Sequence, residues 1–264
     1  MMITPELKMI ETPGGAISYR ESGSGPVLLL MHGIGGNSRS WRNQLETLSD
    51  DFHVIAWDAP AYGKSVERVA SLEEYTVAVI EFLDALSITN VNLLGHSMGG
   101  VVAQGVAGFH PARVTKLILS STFMGHGAVE SSPLGQGYLA RLEDIKNMSP
   151  SEFGRARASR MVATSASSAT CKEVASIAAE VTYSGLLAGC KMLHHADTRG
   201  LIANFKMPVL VLTGEHDSVV VPARSEEMAG FIHEAETEQL LGVGHAGYLE
   251  DPKKFNLALK NFLN

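Results

Sequence analysis

Short apolar runs alternate with helix-period segments along most of this chain, and that alternation narrows the fold more than any other feature of it. Strand-like runs cover Ala16 to Glu21, Val27 to Met31, His53 to Trp57, Val91 to Leu94, Lys116 to Ser120, Val209 to Thr213 and Glu236 to Leu241. Helix-period segments fit between or after them at Ser40 to Leu48, Ser71 to Leu86, Met98 to Phe109, Pro222 to Ile232 and Pro252 to Phe262. In Ser71 to Leu86, for example, Leu72, Tyr75, Val79, Phe82, Leu83 and Leu86 recur at three- and four-residue steps, which predicts one buried face. Runs that are apolar throughout suit strands buried on both sides, as in a mostly parallel sheet covered by helices. The fold class is therefore α/β.

From Thr122 to Leu201 the alternation stops, and helix-like stretches such as Ser149 to Arg160 and Ala169 to Leu187 take over. A structureless loop of that length is improbable inside a domain, so a mainly helical insertion over residues 122–201 is expected, with 1–121 and 202–264 forming the core. Of the 264 residues 45% are hydrophobic and 19% charged, which excludes disorder as the main state. With 21 basic against 28 acidic residues and a net charge of −7, nucleic acid is not an expected partner. No apolar run approaches membrane-spanning length, so no membrane partner is expected either. Met1 to Tyr19 carries Glu6, Lys8 and Glu11 and no apolar stretch of signal-peptide type, which makes the cytoplasm the expected location. Cys171 and Cys190 form no C-x-x-C pair and read as reduced packing residues.

The strongest local signal is Gly95-His96-Ser97-Met98-Gly99-Gly100, a G-x-S-x-G pattern directly after one apolar strand and opening an apolar helix. A serine forced onto so tight a turn needs small neighbours two residues away on each side, and Gly95 and Gly99 supply them. The turn also sets Ser97 at a helix N-terminus, where free N–H groups favour developing negative charge. A nucleophilic serine needs a base, and among ten histidines His245 is selected by its glycine-rich loop, Gly242 to Gly247, between the last strand-like run and the last helix. Asp217, at the end of the run that starts at Val209, is the candidate orienting acid. The chain order Ser97, Asp217, His245 is one of the known triad orders. A second donor loop, His32-Gly33-Ile34-Gly35-Gly36, follows the strand Val27 to Met31; with Met98, the Ile34 backbone N–H is the expected oxyanion donor, Gly35 being the alternative to Ile34.

These motifs, together with Asp58-Ala59-Pro60-Ala61-Tyr62-Gly63-Lys64-Ser65, resemble the α/β-hydrolase superfamily from about Ile17 to Phe262. Ala61 stands where those relatives usually have glycine. The resemblance implies the α/β-hydrolase fold, a helical lid formed by the insertion, and a serine hydrolase. Within the superfamily the motifs look most like bacterial 3-oxoadipate enol-lactone hydrolases and small esterases, which implies cleavage of an ester or (enol-)lactone of a small carboxylated acid. The alternative is a carbon–carbon bond hydrolase of aromatic ring-cleavage products, although such relatives commonly carry tryptophan after the catalytic histidine and here it is Ala246. Cofactor-free perhydrolases and non-catalytic small-molecule receptors are further relatives. Dehalogenase and epoxide hydrolase chemistry is disfavoured, because those relatives have aspartate at the Ser97 position.

No cofactor or metal is expected. Gly63-Lys64-Ser65 looks like the end of a P-loop, but Asp58 stands where that motif needs glycine. Gly242 to Gly247 matches G-x-G-x-x-G, yet too little chain follows it to complete a βαβ unit. His194, His195 and Asp197 lack further ligands nearby and read as surface of a lid-end helix. In the insertion, Met124, Met148, Met161 and Met192 could supply an adaptable apolar wall. Arg155, Arg157 and Arg160 form a local basic group, in which Arg160 is the candidate to hold a substrate carboxylate.

Overall fold

A computed structural model describes residues 4–264. Eight strands form one sheet: β1 (Lys8–Ile10), β2 (Ile17–Ser22), β3 (Val27–Met31), β4 (His53–Trp57), β5 (Val91–His96), β6 (Val114–Ser120), β7 (Val209–Gly214) and β8 (Glu236–Leu240). Their spatial order is β1-β2-β4-β3-β5-β6-β7-β8; the β1–β2 and β2–β4 pairs are antiparallel and the other five are parallel. The helices in chain order are α1 (Arg42–Thr47), α2 (Leu72–Ala85), α3 (Met98–Phe109), α4 (Gln136–Asn147), α5 (Pro150–Met161) and α6 (Ser168–Ala178). They continue with α7 (Tyr183–His195), α8 (Arg199–Ile202), α9 (Pro222–Ala229), α10 (Gly247–Glu250) and α11 (Pro252–Leu263).

The central strands show why they read as unbroken apolar runs. On β3, Leu29 and Met31 join one core with Ile55, Trp57, Leu93 and the buried stripe of α2, while Leu28 and Leu30 join the opposite core with Val54, Ala56, Leu94, Trp41 and Phe255. Alternate residues of each strand thus enter separate cores, so no polar position is left. The edge strand β8, Glu-Thr-Glu-Gln-Leu, is exposed except at Leu240, and its charges discourage edge-to-edge pairing.

Elements differ from the sequence expectation where packing gives little signal. The three-residue edge strand β1 escapes the pattern, and so does α4, whose one buried residue is Leu142. The expected helical stretch Ala169 to Leu187 is two helices: α6 stops at Ala178, and α7 restarts after Thr182, whose side chain accepts the Gly185 N–H. Helix α5 begins with a reciprocal cap between Ser149 and Glu152 and has Pro150 in its first turn. It packs against α6 so closely that a Cβ on Gly154 would lie 2.2 Å from the Ala175 carbonyl oxygen. Helices α4 to α7 all fall between β6 and β7. Among the described residues no helix is long and apolar enough to cross a membrane.

The strand order reverses at β3, which lies between β4 and β5. In open parallel sheets the crevice for a ligand opens at the carboxyl ends of the strands at such a reversal. Here those ends are His32, after β3, and Ser97, after β5.

Candidate active site

Ser97 sits between the last residue of β5 and the first of α3 with φ 53° and ψ −116°, a left-handed backbone that costs a non-glycine residue about 1–3 kcal/mol. The strand and helix hold it there from both sides. Its N–H donates to the Ser120 carbonyl at 2.9 Å, and its carbonyl accepts from Thr122 Oγ1 at 2.7 Å. The flanking glycines are sterically required. A Cβ on Gly95 would lie 2.3 Å from the Gly99 carbonyl oxygen, and a Cβ on Gly99 would lie 2.3 Å from the Met31 carbonyl oxygen. Gly99 therefore serves the approach of α3 to the end of β3 as much as the turn itself.

Asp217 and His245 come together from loops after β7 and β8. Asp217 Oδ1 accepts the N–H groups of Val219 and Val220 at 2.8 and 2.9 Å, while Oδ2 lies 2.8 Å from His245 Nδ1. Burial pulls this carboxyl upward, but the His245 ring and the two backbone donors outweigh it and hold it below the ordinary value. A charged Asp217 fixes the proton of His245 on Nδ1 and leaves Nε2 as the basic nitrogen. The His245 ring packs against His96, the residue before Ser97, with centroids 4.5 Å apart. Ser97, Asp217 and His245 are each 4% exposed, so their interactions are sheltered from water.

Glycine and a carboxylate shape the His245 loop. A Cβ on Gly244 would lie 2.7 Å from the Ala163 nitrogen, and Glu250 accepts the N–H groups of Gly244 at 3.0 Å and Ala163 at 2.7 Å. Ala246 N–H donates to the Met161 carbonyl at 3.0 Å, which fastens the loop to the end of α5. Glu250 carries no motif of its own, and sequence reasoning misses it. His96 likewise reads in the sequence only as the variable residue of the elbow. Its ring is buried, and burial together with His245 and His32 outweighs the Ser120 backbone beside it and holds its pKa well below the usual value.

The loop after β3 folds over Ser97. Gly36 N–H bonds to the Gly33 carbonyl at 2.9 Å and closes a turn with Gly35 at φ +80°, and a Cβ on Gly33 would meet Ser97 Cβ at 3.0 Å. Neither Ile34 N–H nor Met98 N–H has a backbone acceptor among the described residues. Gly35 N–H has no backbone acceptor there either, so both Ile34 and Gly35 keep a donor for a ligand. His32 anchors the loop: its Nε2 accepts from Ala59 N–H at 3.0 Å, so Nδ1 carries the proton and donates to the Gly33 carbonyl at 2.8 Å. The stretch Asp58 to Ser65 is structural, with Asp58 accepting from Ser18 Oγ at 2.5 Å and Ser38 N–H at 2.6 Å. Within it Ala61 has φ 70°, the conformation for which relatives use glycine.

A cavity of about 420 Å³ opens onto Ser97 and is lined by Ile34, Phe123, Tyr138, Val219 and Val220 and by Arg160. Arg155 points elsewhere, donating to Ser151 Oγ, and Arg157 does not line the cavity. None of Met124, Met148, Met161 and Met192 lines it either; Met124 and Met192 are buried in the core instead, which removes the expected apolar methionine wall. His194, His195 and Asp197 turn to separate partners: Ser132, the Ala128 carbonyl and Arg199. His194 also reaches the cavity. Sequence reasoning misses two further cationic side chains on the cavity wall, Arg141 and Arg224.

The model of the alpha/beta hydrolase fold matches residues 26–252. The chain is 25% identical over 252 residues to 3-oxoadipate enol-lactonase 2 of Acinetobacter baylyi, covering 93% of this chain and 92% of that one. It is 28% identical over 259 residues to the (E)-2-((N-methylformamido)methylene)succinate hydrolase of the same organism, with 93% of each chain covered. In three dimensions it resembles the enol-lactonase from Burkholderia xenovorans with a TM-score of 0.87 at 23% identity, covering 97% of this chain and 99% of that one. The chain is a hydrolytic enzyme and belongs to the α/β-hydrolase fold family.

Proposed function

We propose that this enzyme cleaves an ester or (enol-)lactone bond of a small carboxylated acid through a Ser97–His245–Asp217 triad and an acyl-enzyme. The observation that carries this reading is the buried His245–Asp217 pair at 2.8 Å, its imidazole packed on His96 beside a serine held in a left-handed turn. Ser97 Oγ attacks the carbonyl carbon while its proton passes to His245 Nε2. The carbonyl oxygen becomes an oxyanion and accepts the free N–H groups of Ile34 and Met98. When the intermediate collapses, His245 returns the proton to the leaving oxygen, which in a lactone stays tethered to the acyl group. A water then repeats the sequence and frees Ser97. Arg160, on the same cavity as Ser97, is the partner for a substrate carboxylate. Two relatives are named for small acids, an oxoadipate enol-lactone and a substituted succinate, which agrees with this substrate class.

The test is turnover of p-nitrophenyl acetate and butyrate, a carboxylated enol-lactone and a vinylogous diketone by wild type and Ser97→Ala. Serine-dependent hydrolysis of esters or the lactone supports the reading. Serine-dependent cleavage of the diketone alone assigns carbon–carbon hydrolysis instead. A folded protein with no serine-dependent turnover of any of the four overturns this substrate class and leaves a narrower substrate or a receptor, which ligand binding by thermal shift then distinguishes.

A further inference from the structure

The cavity above Ser97 is lined by Arg141 of α4, Arg160 of α5, Arg224 of α9 and His126, and by no aspartate or glutamate. In a chain of net charge −7 this is a local reversal of sign. None of these arginines lies within salt-bridge distance of a carboxylate among the described residues, whereas Arg39, Arg42, Arg68, Arg113 and Arg199 all do. Among those residues their side chains donate no hydrogen bond to protein either, and Arg141 Nε is buried without a partner. Arg141 and Arg224 are half-buried and Arg160 is exposed; gathering these like charges on one cavity wall is unfavourable unless an anion enters with them.

The cations fall into two groups. Arg141 and Arg160 flank Arg157 between α4 and α5; burial and these two neighbours push the Arg157 guanidinium down to about 9. On the α9 side, Arg224 lies over the Phe123 ring at 4.2 Å, which occupies its flat face and leaves its in-plane N–H donors for a ligand. His126 packs on the same Phe123, and burial, Arg224 and His194 lower its pKa. The positive field thus has two sources on different elements.

We infer that the ester or lactone taken by this cavity carries two carboxylate groups, one bound by Arg141 and Arg160 and the other by Arg224. The inference rests on the reading of Ser97 as the nucleophile and narrows its substrate. A planar guanidinium matches a carboxylate through paired N–H···O bonds, and guanidinium groups supplied by separate elements, α4 and α5 on one hand and α9 on the other, answer two carboxylates better than one compact anion.

Binding can be measured apart from turnover. Isothermal titration of Ser97→Ala protein with succinate, glutarate and adipate, their monomethyl esters and inorganic phosphate reads the preference directly. At least one dicarboxylate should bind about tenfold or more tightly than its own monomethyl ester, since a hydrogen bond to a charged group is worth about that factor. Arg224→Gln and Arg160→Gln should each bring that ratio to within about twofold, while Arg155→Gln, at an exposed position away from the cavity, should leave it in place. Thermal melts establish that each variant is folded. The inference is overturned if every monomethyl ester binds as well as its diacid, if the ratio survives both cavity substitutions, or if phosphate binds as tightly as the best diacid. Absence of this preference in Ser97→Ala protein, with Ser97-dependent hydrolysis present in wild type, would refute the two-carboxylate substrate alone; absence of that hydrolysis would refute the catalytic reading separately.

Discussion

Replacing Asp217 by asparagine separates the chemistry of the proposed triad from its architecture. In Asp217→Asn the one remaining amide oxygen can still accept the N–H groups of Val219 and Val220, which lie 2.8 and 2.9 Å from Oδ1 in the native chain, so the loop after β7 should keep its shape. The amide NH2 then faces His245 Nδ1, where the native carboxylate oxygen lies at 2.8 Å. Two donors cannot share that contact, so the imidazole moves its proton to Nε2, the nitrogen that must be free to receive the Ser97 proton. Restoring the productive tautomer forfeits a charge-assisted bond worth about 1.5–3 kcal/mol and leaves a buried donor unsatisfied at about 1–3 kcal/mol. Together these raise the barrier by about 2.5–6 kcal/mol, a loss of roughly 10²–10⁴ in kcat/KM. The assay is hydrolysis of a p-nitrophenyl ester near neutral pH, with thermal unfolding of the same preparations as the control for folding. A folded Asp217→Asn enzyme within tenfold of wild type would refute the role given to Asp217.

The same residue has a signature in stability. Its carboxyl is held below the ordinary value despite burial, so its contribution is present above an unfolded pKa of about 3.9 and is lost as pH falls through the lower folded value; urea titrations across that window should show wild type losing more stability than Asp217→Asn. At Ser97, with φ 53°, glycine relieves the strained backbone and alanine does not, so Ser97→Gly should exceed Ser97→Ala in stability by about 1–3 kcal/mol while both lose turnover; equal denaturation midpoints would contradict the strain. Ala61→Gly, at φ 70°, should stabilise by about 1 kcal/mol, read as a rise of about 2 °C in Tm, and a fall would show that Ala61 is held there without strain. Gly99→Ala should cost about 1–3 kcal/mol or more, since its Cβ would sit 2.3 Å from the Met31 carbonyl oxygen; an unchanged melting curve would mean that α3 moves away from β3 freely.

What can be read in advance depends on whether the determining contacts are local. Strands β3 to β7 are legible because both faces are buried, and the stripe of α2 because one face is. The Ser97 elbow is legible because its glycines answer clashes with residues a few positions away or with the adjoining strand. By contrast Glu250, which ties Gly244 to Ala163, and Arg141 and Arg224, which meet around one cavity, draw their meaning from segments far apart in the chain. Among Arg155, Arg157 and Arg160 the helical period helps: Arg157 and Arg160, three apart, share a side of α5, while Arg155 points away to Ser151. Only the position of α5 against the Asp217 and His245 loops decides that Arg160 meets the cavity, and that position rests on contacts such as Ser218 Oγ donating to the Arg160 carbonyl at 3.1 Å.

Three unfavourable features of this molecule lie at or beside one cavity. A serine is held in a left-handed turn, a histidine beside it is buried against a second histidine, and three cavity arginines have no counter-charge among the described residues. Elsewhere capped helices, apolar strands and paired surface charges prevail, with exceptions at Ala61, Ser87, Ser121 and Glu234, whose φ is positive, and at the buried indole nitrogens of Trp41 and Trp57. Selection for stability alone would remove such features, since glycine in place of Ser97 or an acid beside the arginines would each lower the free energy of the empty fold. Their retention beside one cavity agrees with the proposed site for a reacting, anionic ligand, in which the strain would present Ser97 and the unbalanced charge would be neutralised when the ligand is bound.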